Sequence, residues 1–232
     1  MALIKLGGGI TDIRGSMGGN TFSRNKAGNY LRSNKKPVNP RSPLQVVVRN
    51  TQAFLAKYWS ATLTAQQRID WRAYAAGTQW TNKLGETIEI GGNAAFMQLN
   101  ALRFAGGLTI HPAAPTAMGH AGGVGFTFAA ETDTPALAIA DPTQGWDKDT
   151  DDHELFIFSG LPTEAGRDAT PKGFRFCETL SGDSSTPLTF PYDVTPPYTM
   201  AIGQNITIRA MFQDENFRVS GPYWVTDVAA LA

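Results

Sequence analysis

The stretch Thr11–Arg41, TDIRGSMGGNTFSRNKAGNYLRSNKKPVNPR, decides how this chain divides. It carries seven of the 20 lysines and arginines: Arg14, Arg24, Lys26, Arg32, Lys35, Lys36 and Arg41. Asp12 is its only acid, and Phe22 and Tyr30 are its aromatics. Gly18-Gly19 and Lys26-Ala27-Gly28-Asn29 are turn signals, so the stretch reads as short strands joined by tight hairpins. Pro37, Pro40 and Pro43 then hold the chain extended, because proline fixes φ and steers the preceding residue away from helix. A meander with so few apolar side chains cannot support itself. It must lie on the rest of the chain or on a partner, and residues 1–43 are expected to form a basic, β-rich extended arm.

The next stretch is helical. Leu44, Val47, Val48, Thr51, Phe54, Leu55, Tyr58 and Trp59 recur at helical spacing. A second helix follows in LTAQQRIDWRAYAAG, with Thr64 and Gln67 placed as a capping box and Gly77 expected just past its end. Ile69, Ala73, Tyr74 and Ala76 are the expected face toward the first helix. NKLGETIEI reads as a short hairpin. GNAAFMQLNALRFAGG reads as a third helix, capped by Asn93, stopped by Gly106, and burying Ala95, Phe96, Leu99 and Leu102. The aromatic stripe Phe54, Tyr58, Trp59, Trp71 and Phe96 reads as core rather than as a cofactor box. Residues 44–107 are thus expected to be a small helical docking domain.

Residues 108–122, rich in Pro, Ala and Gly, read as a linker. Beyond it, GVGFTFAA, ALAIA, ELFIFSG, GFRFCETL, NITIRAMF and PYWVTDVA are short alternating or apolar runs between turn-rich segments. Six or seven strands in roughly 110 residues is the pattern of an antiparallel β-sandwich of immunoglobulin or fibronectin-III type over residues 123–232. The whole is expected to be an α+β protein. The 24 glycines and 14 prolines agree with turns and extended segments more than with a helical bundle.

The formal net charge is zero, but it is segregated. Residues 1–50 hold nine basic residues against one acid, and residues 111–232 hold six against sixteen. Such polarity suggests that copies attract head to tail or that each half meets a different surface; the plainer reading is a basic face and an acidic face that stay solvated. No stretch reaches the ~20 apolar residues of a membrane span. The apolar start is broken by glycines before it reaches the length of a signal-peptide core, so synthesis in a reducing cytosol is expected. The lone Cys177 has no intrachain disulfide partner and reads as a small buried hydrophobe.

Catalysis should leave a polar constellation, and none stands out. His111 and His120 lie in the linker and His153 in an acidic loop. GxSxG, HExxH and the phosphate-binding glycine motifs do not occur, and no cofactor is expected. Asp147, Asp149 and Asp151 take the 1, 3 and 5 spacing of a calcium loop. Asp152 then stands where glycine is needed, and Phe158 where a bidentate Glu is needed, so a solvated acidic loop is the favoured reading. In the arm, the basic residues could meet phosphates while Phe22 and Tyr30 stack on bases. The acidic half would repel a polyanion, which puts protein docking ahead of nucleic-acid binding.

The run GGGITDIRGSMGGNTFSRNKAGNYLRSNKKPVNPRSPLQ, with LTAQQRIDWRAYA and NKLGETIEIGGNAAFMQLN, resembles a group of uncharacterised virion proteins encoded by tailed bacteriophages and prophages. The likeness covers roughly residues 5–105, and its motifs are distinctive as a set. It implies a setting rather than a mechanism. The expectation is a non-enzymatic structural protein of the virion, present in many copies or as a homo-oligomer, and partnered by capsid or other virion proteins. A head decoration or cement protein leads, and a tail or head–tail junction component is the alternative. A DNA-binding protein that works in packaging is the third reading. No membrane partner is expected.

Overall fold

The computed structural model describes residues 2–10, 12–34, 38–82, 84–122, 126–129, 136–139, 153–164, 173–182, 185 and 192–228. The protein is α+β and divides into two compact units. The first comprises residues 1–98 and 112–114, the second residues 99–111 and 115–232.

The first unit opens with four short strands: β1 (Ala2–Leu3), β2 (Gly15–Met17), β3 (Asn20–Asn25) and β4 (Gly28–Ser33). They form an antiparallel sheet in the order β1-β4-β3-β2. Turn chemistry sets its register. Met17 pairs with Asn20 across Gly18 and Gly19, whose φ values of 57° and 77° suit a tight hairpin that ordinary residues would strain. At the next turn Asn25 Oδ1 accepts from the Ala27 amide, and Asn25 pairs with Gly28.

Three helices follow: α1 (Pro43–Ala61), α2 (Ala65–Gly77) and α3 (Gly92–Ala105). Ser42 caps α1 through the Gln45 amide. The Thr64–Gln67 capping box of α2 is formed on both sides. Gly77 lies inside α2 rather than past it, and Thr78 is the C-cap. The hairpin between α2 and α3 is β5 (Trp80–Thr81) with β6 (Thr87–Ile88).

The core of this unit is aromatic. The Phe96 ring centre lies 5.4 Å from Trp71, 5.7 Å from Trp59 and 6.1 Å from Tyr58. Tyr74 bridges Trp71 and Trp80 edge-on. The buried face of α2 is therefore Trp71, Tyr74 and Ala75, while Ile69, Ala73 and Ala76 are exposed. Two large rings remove more apolar surface from water than Ile69 and two alanines, and this turns the helix. Phe54 also departs from the expected core stripe and is exposed. Asn93 does not cap α3: the helix begins at Gly92, and the Gly91 carbonyl accepts from Ala94 and Ala95. A Cβ on Gly92 would stand 2.7 Å from the Arg72 backbone nitrogen, so the α2–α3 crossing requires glycine there.

The second unit is a β-sandwich. One sheet has the order β10-β9-β12-β13, from β9 (Glu154–Ser159), β10 (Arg175–Ser181), β12 (Asn205–Gln213) and β13 (Tyr223–Val228). The other has the order β11-β8-β7, from β7 (Phe126–Ala129), β8 (Ala136–Ile139) and β11 (Tyr192–Asp193). All six runs expected as strands are strands. Between the sheets lie Phe126, Leu155, Ile157, Leu180, Val194, Ile206, Ile208, Ala210 and Phe212.

The segment read as a linker is pinned along part of its length. His111 donates its amide to Asn100 Oδ1 at 2.7 Å, and Asn100 Nδ2 donates back to the His111 carbonyl. Arg103 donates Nε to the Thr109 carbonyl and a terminal nitrogen to Gln213 Oε1 at 2.7 Å. The His111 ring stacks on Phe217, 3.4 Å between centres. Ala121 enters the sandwich core.

Candidate functional site

The basic arm is the first place to look for a site, and its strand register distributes its side chains. Phe22 pairs with Leu31 and Arg24 with Asn29, so these four share one face. Tyr30 pairs with Ser23 and Arg32 with Thr21, which puts Tyr30 and Arg32 on the opposite face. The two aromatics therefore do not form one stacking platform, contrary to the arrangement a nucleic-acid arm needs. Arg14 is exposed and pairs with Asp12 at 2.9 Å. Lys26 is exposed in the β3–β4 turn, and Arg41, at φ 49°, leads into α1. Lys35 and Lys36 lie outside the described residues, as do Asp147, Asp149, Asp151 and Asp152 of the calcium-loop reading. Phe158, at the twelfth position of that loop, is a buried strand residue.

No described side chain of the arm sheet is buried. Phe22, Tyr30 and Leu31 are half-buried, and Met17 is 73% exposed. Two polar contacts tie the sheet to the β5–β6 hairpin: Asn82 donates to the Ala27 carbonyl at 3.0 Å, and Lys5 meets Glu86 at 3.0 Å. The hydrogen bond from Lys5, helped by one from Asn82, holds the Glu86 carboxyl below its usual range. A cavity of about 240 Å³ lies here, lined by Ile4, Leu6, Ile10, Leu84, Arg24 and Asn29 among others. Asn29 Oδ1 is buried in this region without a partner.

The first turns of α1 carry further exposed apolar side chains. Leu44, Val47 and Val48 are 55%, 59% and 60% exposed, and of the helix only Thr51 and Leu55 are buried. The stripe expected from Leu44 to Trp59 is thus open in its first turns, buried at Thr51 and Leu55, half-covered at Tyr58 and Trp59, and open again at Phe54. Sequence periodicity identifies such a stripe but does not reveal where its cover ends.

Cys177 packs against the sandwich core, and burial pushes its thiol up to about 12, which leaves it unreactive at neutral pH. Burial also raises Glu178, which receives a hydrogen bond from Tyr192. Among the described residues no three His, Cys, Asp or Glu side chains are grouped so as to hold a metal ion, and no helix is long and apolar enough to cross a membrane. Buried Asn100, Arg103 and Gln213 were not foreseen from the sequence; their partners include the His111 and Thr109 backbone, the Phe217 ring beneath Arg103 and the Arg103–Gln213 bond, and they organise the fold. No family model, curated protein or solved structure matches the chain.

Proposed function

We propose that the chain is a structural protein of a tailed-phage particle, a decoration or cement protein of the head that docks through its basic arm and the open end of α1. The observation that carries this reading is the arm sheet itself. It holds four strands, yet no described side chain in it is buried. Ordering a residue costs about 1–2 kcal/mol of backbone entropy. A sheet offsets that cost by covering an apolar face, and three or more strands normally need one. The half-buried Phe22 and Leu31 and the exposed Val47 and Val48 are the surface to be covered, and the surrounding lysines and arginines suit an acidic recipient. The phage setting comes from the resemblance of residues 5–105.

Mass spectrometry and cryo-electron microscopy of purified heads test this. The protein should be found in the shell in hundreds of copies, and a small multiple of three, six or twelve would move it to the neck or tail. A variant carrying Val47→Asp and Val48→Asp should melt like the parent yet fail to add to bare heads. The DNA-binding reading would require a salt-dependent gel shift with a slope reflecting about six phosphates or more.

A further inference from the structure

The outer face of the sheet β10-β9-β12-β13 carries a feature that docking through the arm does not use. Strand register sets Phe176, Phe158, Arg209 and Trp224 side by side, one on each strand. Residues paired in register share a face, so the row is about 14 Å long at ~4.8 Å per strand. The neighbouring positions Leu155, Ile157, Ile208, Ala210 and Val225 point into the sandwich core. Phe174 completes the group: its ring meets Trp224 edge-on at 5.0 Å, as Phe158 meets Phe176 at 5.6 Å. The Arg209 guanidinium lies in the middle, 4.3 Å from the Phe158 ring centre, 5.0 Å from Phe174 and 5.8 Å from Trp224.

Arg209 is half-buried and has no counter-charge among the described residues. It makes no hydrogen bond and no ion pair among the described residues, and its Nε is buried without a partner. Burial lowers the guanidinium from its ordinary value, as expected for a cation without an anion beside it. The composition sharpens this: residues 111–232 hold sixteen acids against six bases. Arg218, on the same unit, takes Asp214 at 2.6 Å. A guanidinium has five donors in a planar fork that fits a carboxylate, and three rings stand around this one at 4.3–5.8 Å. Trp224, 47% exposed, adds a flat apolar surface next to it.

We propose that this row is a binding site for one terminal acidic sugar, with the carboxylate on Arg209 and the apolar face of the pyranose on Trp224 and Phe174. The choice against a polyanionic partner follows from charge. An acidic protein or a nucleic acid would meet the repulsion of the whole module, whereas a ligand with one charge meets little of it. The choice against a neutral sugar follows from the unpaired guanidinium, whose desolvation only an anion offsets fully.

The test is NMR on the full-length protein with three glycosides: methyl glucuronide, methyl N-acetylneuraminate glycoside and methyl glucoside. At least one acidic glycoside should give saturation transfer and shift the Arg209 Nε–H signal with millimolar affinity. Methyl glucoside should bind at least ~10-fold more weakly, a difference of ~1.4 kcal/mol. Arg209→Gln and Trp224→Ala should each lose at least ~10-fold, and Arg209→Lys should fall between parent and Arg209→Gln, because lysine keeps the charge but not the fork. A melting curve for each variant separates lost binding from lost fold. The proposal is overturned if no acidic glycoside moves the Arg209 signal at about 50 mM, well above the millimolar range. It is equally overturned if methyl glucoside binds as well, if a folded Arg209→Gln protein binds like the parent, or if a glutamate-rich peptide binds while the sugars do not.

Discussion

Among the described residues are two four-stranded antiparallel sheets that hold together for different reasons. In β10-β9-β12-β13 every residue of β9 is buried, and Phe156 and Ile157 are wholly inaccessible. In β1-β4-β3-β2 no described side chain is buried, and the register comes from Gly18-Gly19, the Asn25 turn and main-chain pairing. Turn chemistry is enough to specify a hairpin's geometry but contributes little stability. Apolar burial contributes most of it. The difference teaches that turn chemistry and main-chain pairing set the first sheet, whereas apolar burial holds the second.

The largest effect should come from the second sheet. Phe156→Ala should cost about 3–5 kcal/mol in a denaturant titration, because it leaves a cavity in a fully covered strand. Phe22→Ala, in the first sheet, should cost under about 1 kcal/mol in the isolated protein, since its ring is only half-buried. Equal losses would break the comparison. Gly92→Ala should come next. The new Cβ would press on the Arg72 backbone, and the crossing of α2 and α3 should lose about 1–3 kcal/mol, read as a lowered melting temperature. Arg103→Ala removes the donor to buried Gln213 Oε1 and should cost about 1–3 kcal/mol.

The smallest effect belongs to the Lys5–Glu86 pair beside the arm. Glu86 is partly exposed, and the hydrogen bond from Lys5 holds its carboxyl below the usual range. Its contribution is therefore complete above the unfolded carboxylate value and is lost as pH falls through the lower, folded one. Glu86→Gln should slightly flatten the acid side of the melting-temperature profile and leave neutral pH nearly unchanged.

The division of strengths also explains what could be read from the sequence. Hairpins at Gly18-Gly19 and Gly28, the Thr64–Gln67 cap and the six sandwich strands are local patterns, and local patterns were legible. The face of α2 was not, because Trp71 and Tyr74 compete with Ile69 and packing against Phe96 decides between them. The N-terminus of α3 was misplaced at Asn93 because a helix–helix crossing, invisible to sequence, requires Gly92. The arm's basic residues were legible as a group, but their split between two faces appears only once the register is known. The row through Arg209 needed the register of three strand pairs and was missed. Alternation in GFRFCETL and NITIRAMF was its one visible trace.

Amide hydrogen exchange, residue by residue, tests the central claim most directly. In the isolated protein the paired amides of β3 and β4 should exchange orders of magnitude faster than those of β9 and β12, because no described side chain of the arm sheet is buried. Under the proposed docking, mixing the protein with bare phage heads should protect the same β3 and β4 amides while β9 and β12 stay as they were. Slow exchange of β3 and β4 in the isolated chain, matching β9, would contradict the account.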